Sequence, residues 1–528
     1  MLSRQCKDVT QQRELLAALR DPAVYAHPVT STEIVETHIS WVILTGQYAY
    51  KIKKAVDLGF LDFSTLQKRR HYCEEELRLN ARWAPGLYTG LVSIRGSRGR
   101  PSLGGEGEVI EYAVRMRQFP QEMQLDRQLD AGKLREDDML RLAETIAANH
   151  AQARVIEYAN DSESVGKVSV PILENFSPVE QAIDMDLLHR VHKWTAEQLR
   201  SLKPVLIQRR KDGFVRECHG DLHLSNLVRL RSGIVAFDCV EFSADLRNID
   251  VLSDIAFLVM DLVARARQDL AFAFLNRYLE RTGDYAGMSV FGLYFVYHSM
   301  IRAKVAAIRS AARRDPDDRD KDVEAVKHYL AVAVRWLMAA TPNLVAMHGY
   351  SAAGKTWLSS RLLAGLPAVR LRSDIERKRL ADIGETADSH SQPGEGIYSK
   401  TSSDAVYALL FESAAAVLDA GFNVIIDASF LRRTDRDGLY SLAERKGAQY
   451  VIVAARAGDD ELRRRLRRRS TGGAEVSEAD IQVLEYQQRK ADPLCEDESS
   501  RTVFVRTDDD NDADDIVKSI KRLWGTNS

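Results

Sequence analysis

The octapeptide Gly349-Tyr350-Ser351-Ala352-Ala353-Gly354-Lys355-Thr356 fits GxxxxGK[ST] at every fixed position. It follows an apolar run, NLVAM, and opens a stretch that reads as helix. That setting constrains the fold more than any other feature of the chain. A loop of this kind works at a strand-to-helix junction, where glycines let the backbone N–H groups of Ser351, Ala352 and Ala353 curl around phosphate oxygens. Lys355 is then expected to reach the β and γ phosphates of ATP, and the Thr356 hydroxyl to ligate Mg²⁺. The following segments alternate: AVRLR, a helix, FNVIIDA, a helix, QYVIVAA. Alternation of this kind predicts a parallel sheet wrapped by helices, an α/β P-loop domain over residues 342–528 that begins at Thr341-Pro342.

Three further segments carry candidate chemistry in this half. Arg372-Ser373-Asp374-Ile375-Glu376-Arg377 resembles the corresponding segment of polynucleotide kinases and of zeta-toxin-like and gluconate-type small kinases. The resemblance implies that Asp374 is the general base toward an acceptor hydroxyl and Arg377 a contact to a substrate anion. A helix N-cap followed by a solvated arginine is the plainer alternative for the same residues. VIIDAS puts Asp427 at a strand end, where a carboxylate sits near Mg²⁺ or the acceptor, or caps a helix. The basic run ELRRRLRRRS is similar to the lid helix of small P-loop kinases, and its spacing implies Arg465 and Arg469, one turn apart, as the phosphate-facing pair. The run lacks aromatic residues for base stacking, so it gives little support to a nucleic-acid patch.

The first half holds ECHGDLHLSNLV, Glu217 to Val228. His219, Asp221 and His223 alternate like metal ligands, but the remaining histidines show no second spaced group to complete such a site. A kinase loop requires instead a short hairpin and a second Mg²⁺-binding aspartate, and NLVRLRSGIVAFD ends in Asp238. HGDLHLSN followed by VAFDCVEF resembles the catalytic core of the aminoglycoside-phosphotransferase-like branch of the protein-kinase fold. The resemblance implies Asp221 as base, Asn226 and Asp238 as Mg²⁺ ligands, and His219 as an anchor, with His223 open to either role. That fold also needs a strand lysine and a helix glutamate. YAYKIKK offers Lys51 at the position of the lysine in VAIK, with Lys53 on the same strand face, and CEEELRLN offers Glu76 as partner. Backbone groups near Arg117 to Phe119 are the expected adenine contacts, and Asp250 and Asp254 shape the acceptor site or brace the loop. TEIVETHISWVILTG departs from the protein-kinase pattern, since it has no glycine-rich phosphate loop.

The resemblance thus implies a bacterial family joining an aminoglycoside-phosphotransferase-like domain, 1–341, to a P-loop kinase-like domain. The first has a β-rich N-lobe to about residue 120 and a helix-rich C-lobe from about 121, a bilobal α+β fold. A length of 528 residues has room for these lobes. The net charge of −2 gives no general attraction to nucleic acid or anionic membrane. Five scattered cysteines and an N-terminus without an apolar signal core fit a reducing cytoplasm. The expected function is ATP-dependent phosphoryl transfer in both halves, each to an unidentified hydroxyl-bearing acceptor, small or nucleotide-like. A nucleotide-sensing regulator with one half a pseudokinase bound to a protein partner is the second reading. Oligomeric state and acceptor are left open by the residues.

Overall fold

The computed structural model of the chain describes residues 2–59, 61–180, 185–338, 341–387, 389, 391, 394–472, 477–509 and 512–525, with backbone alone at 2–9 and 469–472. The chain packs as two compact units. One comprises Met1–Asp138, Ala148–Val168 and Gln208–Leu258; the other comprises Met139–Ala147, Ser169–Ile207 and Val259–Ser528.

The first unit is built on an antiparallel sheet. Its strands are β1 (Glu33–Glu36), β2 (Ser40–Leu44), β3 (Tyr48–Lys53), β4 (Tyr88–Ser97), β5 (Arg100–Leu103) and β6 (Val109–Arg117), in the order β1-β2-β3-β6-β4-β5. The glycine-rich segment 95–108 contributes β5, because Arg100–Leu103 pairs back on β4. Helix α1 (Leu66–Trp83) begins where the Thr65 side chain accepts from the Lys68 N–H at 3.2 Å, an N-cap that satisfies one orphan amide. The two-residue period of β3 divides its side chains. Tyr50 and Ile52 join a core with Leu15, Leu16, Leu19 and Trp41, while Ala49 packs with Cys73 of α1. Lys51 and Lys53 therefore share the Ala49 face, and cations there need carboxylates close by. The hairpin β7 (Leu227–Leu230) and β8 (Gly233–Ala236) follows the HGDLHLSN loop and delivers the chain to Asp238.

The second unit contains a parallel sheet. Its strands are β9 (Asn343–His348), β10 (Ala368–Arg372), β11 (Asn423–Asp427), β12 (Gln449–Arg456) and β13 (Thr502–Arg506), in the order β10-β11-β9-β12-β13. Residues 343–347 are all buried, as the continuous apolar run of a central parallel strand requires. The chain leaves β9 toward one side of the sheet and later returns to its other side. The carboxyl end of β9 is thus the switch point, where open α/β sheets hold ligands. Strand β13 was not anticipated; TVFVR is short, lies at the sheet edge and leaves Phe504 exposed. At the opposite edge the side chain of Asn276, from helix Gln268–Thr282, stands in for another strand. It donates to the Ala368 carbonyl at 2.9 Å and accepts from the Arg370 N–H at 2.6 Å.

The apolar stretch 255–275 is divided between two helices, Val251–Ala264 and Gln268–Thr282. Arg265 to Arg267 lie between them, Ala266 having a φ of 57°. Among the described residues no helix is long and apolar enough to cross a membrane. The acidic run 313–322 spans the turn between helices Met288–Ala312 and Pro316–Leu337, with Asp315 as N-cap.

Candidate active sites

In the first unit, β3, α1, the HGDLHLSN loop and the segment after β8 bring their charged residues together. Lys51 Nζ donates to Glu76 Oε1 at 2.9 Å and also contacts Asp238 Oδ1. Lys53, on the same strand face, is wholly buried. It donates to Glu76 Oε2 at 2.7 Å and to Glu241 Oε1. Burial alone would pull the Lys51 ammonium down, but Asp238, Glu76 and Glu241 push it well above the ordinary lysine range. Burial likewise opposes the charge on Glu76, and the two lysines overcome it, so its pKa is lowered. Burial pushes the Glu241 carboxyl up against the pull of Lys53.

The loop itself is held through its backbone. Asp254 accepts from the N–H groups of His219 at 3.0 Å and Gly220 at 2.8 Å, and its Oδ2 lies 3.1 Å from His150 Nε2. Asp250 forms a two-pronged pair with Arg209 at 2.6 and 2.8 Å. Both aspartates thus brace the fold. Burial pushes the pKa of the His219 imidazole down; its Nε2–H donates to the Phe237 carbonyl at 3.0 Å, and Nδ1 accepts from the Asp221 N–H at 3.3 Å. With both nitrogens engaged, His219 is an anchor and a poor metal ligand. His223 Nε2 lies 3.4 Å from Asp221 Oδ2.

Asn226 Nδ2 donates to Asp221 Oδ2 at 2.7 Å and to the Asp221 carbonyl at 3.0 Å. Phe237 N–H donates to the Asn226 carbonyl at 2.9 Å, which sets Asp238 beside the loop. Asp238 has a φ of 63°, a conformation non-glycine residues adopt at a cost. The side chains of Asp221 and Asp238 are 40% and 43% exposed, so their carboxylates are open to an incoming ion. The Asp238 carboxylate and the Asn226 amide oxygen are hard donors of the kind Mg²⁺ takes, and these residues fit it. The expected adenine contacts are partly engaged already: Arg117 N–H donates to Leu87 O at 2.8 Å and Gln118 N–H to Gln47 O at 3.0 Å.

Glu217 ties the start of this loop to α1 through Arg78, at 2.9 and 3.0 Å. Burial opposes its charge, but Arg78, Arg154 and Arg247 hold its pKa at about 2. A depressed carboxylate stabilises the fold above its unfolded pKa, and the contribution is lost as pH falls toward 2. Glu217→Gln is therefore expected to lower the melting temperature near neutral pH and to shrink the difference from wild type on acidification below about pH 4. Thermal unfolding across pH 2.5 to 7 checks this; an unchanged difference refutes it.

In the second unit the GYSAAGKT loop forms a cradle between β9 and helix α2 (Lys355–Gly365). Gly349, Ala352 and Gly354 have φ values of 143°, 62° and 88°. Lys355 Nζ donates to the carbonyls of Gly349 at 3.0 Å and Tyr350 at 2.9 Å. Ser351 N–H donates to Gln487 Oε1 at 2.8 Å, so a side chain from helix α5 (Ile481–Lys490) holds an amide of the cradle. A cavity of about 430 Å³ opens beside Lys355 and Thr356, and Asp374, Arg377 and Asp427 also line it. Asp374 stands in the first turn of helix α3 (Ser373–Leu380). Arg377 is buried; Nη1 donates to Ile397 O at 2.7 Å and Ser403 Oγ at 3.2 Å, over the Tyr398 ring. Its Nε has no hydrogen-bond partner among the described residues. Asp427 accepts from Ser359 Oγ at 3.3 Å. Thr356 and Asp427 are again hard oxygen donors suited to Mg²⁺.

Arg465, on helix α4 (Asp459–Gly472), holds the rim of the cradle. It donates to Ala352 O at 3.1 Å, to Thr507 Oγ1 at 2.9 Å and to Glu461 at 2.7 Å. The side chain of Arg469 lies outside the described residues. Sequence reasoning missed Glu241, Gln487 and Tyr88, whose Oη accepts from the Asp238 N–H at 3.0 Å, and on the cavity wall Arg372, Tyr398, Tyr407 and Arg432. Glu241 alone had a readable signal, an acidic residue three positions after Asp238 in an apolar context.

Comparison with known proteins places the chain in a family. A family model described as an AAA domain (AAA_33) matches residues 344–494. The uncharacterized protein Rv2004c of Mycobacterium tuberculosis (strain ATCC 25618 / H37Rv) is 30% identical over 412 residues, 77% of this chain and 80% of that protein. The chain belongs to its family. The AAA domain match covers the part of the chain that holds the P-loop. Among solved structures, choline kinase from Cryptosporidium parvum Iowa II is similar at 11% identity, covering 62% of this chain and 96% of that one, TM-score 0.38. A gluconokinase from Sinorhizobium meliloti 1021 is similar at 17% identity, covering 35% and 93%, TM-score 0.25.

Proposed function

We propose that the chain is a bifunctional ATP-dependent phosphotransferase, each half moving the γ-phosphoryl of ATP to an alcohol on a separate acceptor. We place the boundary between the halves at Thr341-Pro342. The observation that carries this reading is the repetition of one arrangement. In each unit a candidate base, Asp221 or Asp374, accompanies a lysine, Lys51 or Lys355, and a candidate Mg²⁺ ligand, Asp238 or Asp427. A protein that only bound nucleotide would have no use for the two bases.

In the first unit Lys51 grips phosphate oxygens, Asn226 and Asp238 hold Mg²⁺, and Asp221 orients the acceptor hydroxyl and takes its proton. In the second, the amides of Ser351, Ala352 and Ala353 and the Lys355 ammonium hold the phosphates. Thr356 and Asp427 hold Mg²⁺, Asp374 serves as base, and Arg465 and Arg469 steady the transferring group. Arg377, with an unsatisfied Nε beside the cavity, receives an anionic group of the acceptor. Mg²⁺, when bound, neutralises charge on the phosphates.

The test is a phosphorylation screen with labelled ATP over metabolites and oligonucleotides, on the intact protein and on its Lys355→Ala and Asp238→Ala variants. Label transferred by the intact protein, and lost separately for different acceptors in the two variants, is the expected result. No transfer to any class by the intact protein would count against the proposal.

A second reading, a nucleotide-sensing regulator with a pseudokinase first half, is favoured by the β1–β2 turn. It closes with a Thr37-to-Ser40 hydrogen bond of 2.9 Å and has no glycine-rich loop to cover phosphates. Calorimetry of Mg-ATP binding to full-length Lys355→Ala separates the two, since a silent first site supports the regulator.

A further inference from the structure

We propose that Lys53 and Glu241 are positioning residues for the first site, their buried ion pair fixing Asp238 at the right reach from Lys51. The inference rests on the reading of Lys51 as the phosphate cation and Asp238 as a Mg²⁺ ligand. Lys51 and Lys53 stand two residues apart on one face of β3, and Glu76 binds both, one carboxylate oxygen to each. Lys53 then reaches Glu241, three residues beyond Asp238. Strand β3, helix α1 and the segment after β8 are thereby stitched together by side chains with almost no access to water.

The segment from Asp238 to Glu241 needs such an anchor. Asp238 carries a strained backbone, and its side chain is partly exposed. Its neighbours are tied down through the backbone. Asp238 N–H donates to Tyr88 Oη at 3.0 Å, Cys239 N–H to Asn80 Oδ1 at 3.2 Å, and Val240 N–H to His219 O at 3.1 Å. Arg247 donates to the Glu241 carbonyl at 3.1 Å. Two side-chain links join β3 to this segment in the described structure, Lys51 to Asp238 and Lys53 to Glu241. When Lys51 turns to a phosphate, its link to Asp238 is given up. Lys53–Glu241 is the link that remains while Asp238 turns to the metal. A buried pair suits this task because neither partner can wander without stranding the other's charge.

The test uses the full chain carrying Lys355→Ala, so that the second site is silent. ATP affinity is measured by calorimetry with Mg²⁺ and again with EDTA, for Lys53→Met, Glu241→Gln and the double variant K53M/E241M, alongside thermal unfolding without nucleotide. Each variant is expected to lose at least about tenfold of the affinity that Mg²⁺ adds, while metal-free ATP affinity stays within about threefold. The double variant leaves no orphaned charge, so it keeps the measurement possible if a single variant fails to fold. Parental metal dependence in the variants overturns the inference. So does an equal loss with and without Mg²⁺, which marks a merely structural role. If the Lys355→Ala parent binds no ATP at all, the underlying site assignment fails first and the inference falls with it.

Discussion

Asp221→Ala is expected to abolish phosphoryl transfer by the first site while leaving its Mg-ATP affinity within a few-fold of the parent. The reason is the division of labour among the clustered carboxylates. Asp238 is in contact with Lys51, and Glu76 is shared between two lysines, so we assign both to the phosphate side. Asp221 accepts from Asn226 and has His223 nearby, and its side chain is 40% exposed, as a base that meets an acceptor hydroxyl must be. Removing a positioned base costs about 10²–10⁴ in rate. Single-turnover transfer in the Lys355→Ala background, beside calorimetric Mg-ATP affinity, makes the comparison; Asp374→Ala in an Asp238→Ala background is its counterpart. Transfer at the parental rate in Asp221→Ala would remove Asp221 from the mechanism. A parallel collapse of ATP affinity would instead make it a nucleotide ligand.

These measurements call for the undivided chain, for a reason visible in the fold. Helix Gln268–Thr282 precedes the Thr341-Pro342 boundary, yet its Asn276 completes the hydrogen bonding of the β10 edge, and its Glu280 receives Arg370 of β10 at 2.8 Å. Cutting at the boundary would bare that edge and strand Arg370.

What could be read from the sequence follows from how local each signal is. The P-loop, the HGDLHLSN segment and the hairpin before Asp238 are contiguous strings whose chemistry is fixed by spacing, and the structure brings their residues together. The parallel sheet was legible because NLVAM and VIID are unbroken apolar runs between helices. Asn276 was not, and Glu241 showed its acidic character but not its role, because each acts through a partner far along the chain: Lys53 is 188 residues from Glu241, and Ala368 is 92 from Asn276. Lys53 shows the same limit from the other end, since a lysine on a strand face looks alike in sequence whether water or two carboxylates meet it. β13 escaped for a different reason. Its alternation is that of an edge strand with one wet face, which a search for wholly buried strands passes over.

Gly349→Ala tests the second site without needing an acceptor. A methyl group on Gly349 would stand 2.4 Å from the Ala455 carbonyl oxygen and 3.3 Å from Ala353 Cβ, at a φ of 143° that L side chains rarely adopt. The oxygen belongs to β12 in the sheet and cannot retreat, so the loop must move, and its amides leave the arc that would enclose a phosphate. Losing two such charge-assisted hydrogen bonds costs about 3 kcal/mol, or about 100-fold in nucleotide affinity. Gly447→Ala is the control. Its φ of 65° lies at a helix C-terminus with nothing within 4 Å of the added methyl, so it costs about 1 kcal/mol of stability and leaves binding alone. With the first site silenced by Asp238→Ala, Mg-ATP calorimetry is expected to show parental affinity in Gly447→Ala and about 100-fold weaker binding in Gly349→Ala. Equal affinity in the two would mean that the amide cradle between β9 and α2 is not where the second nucleotide sits.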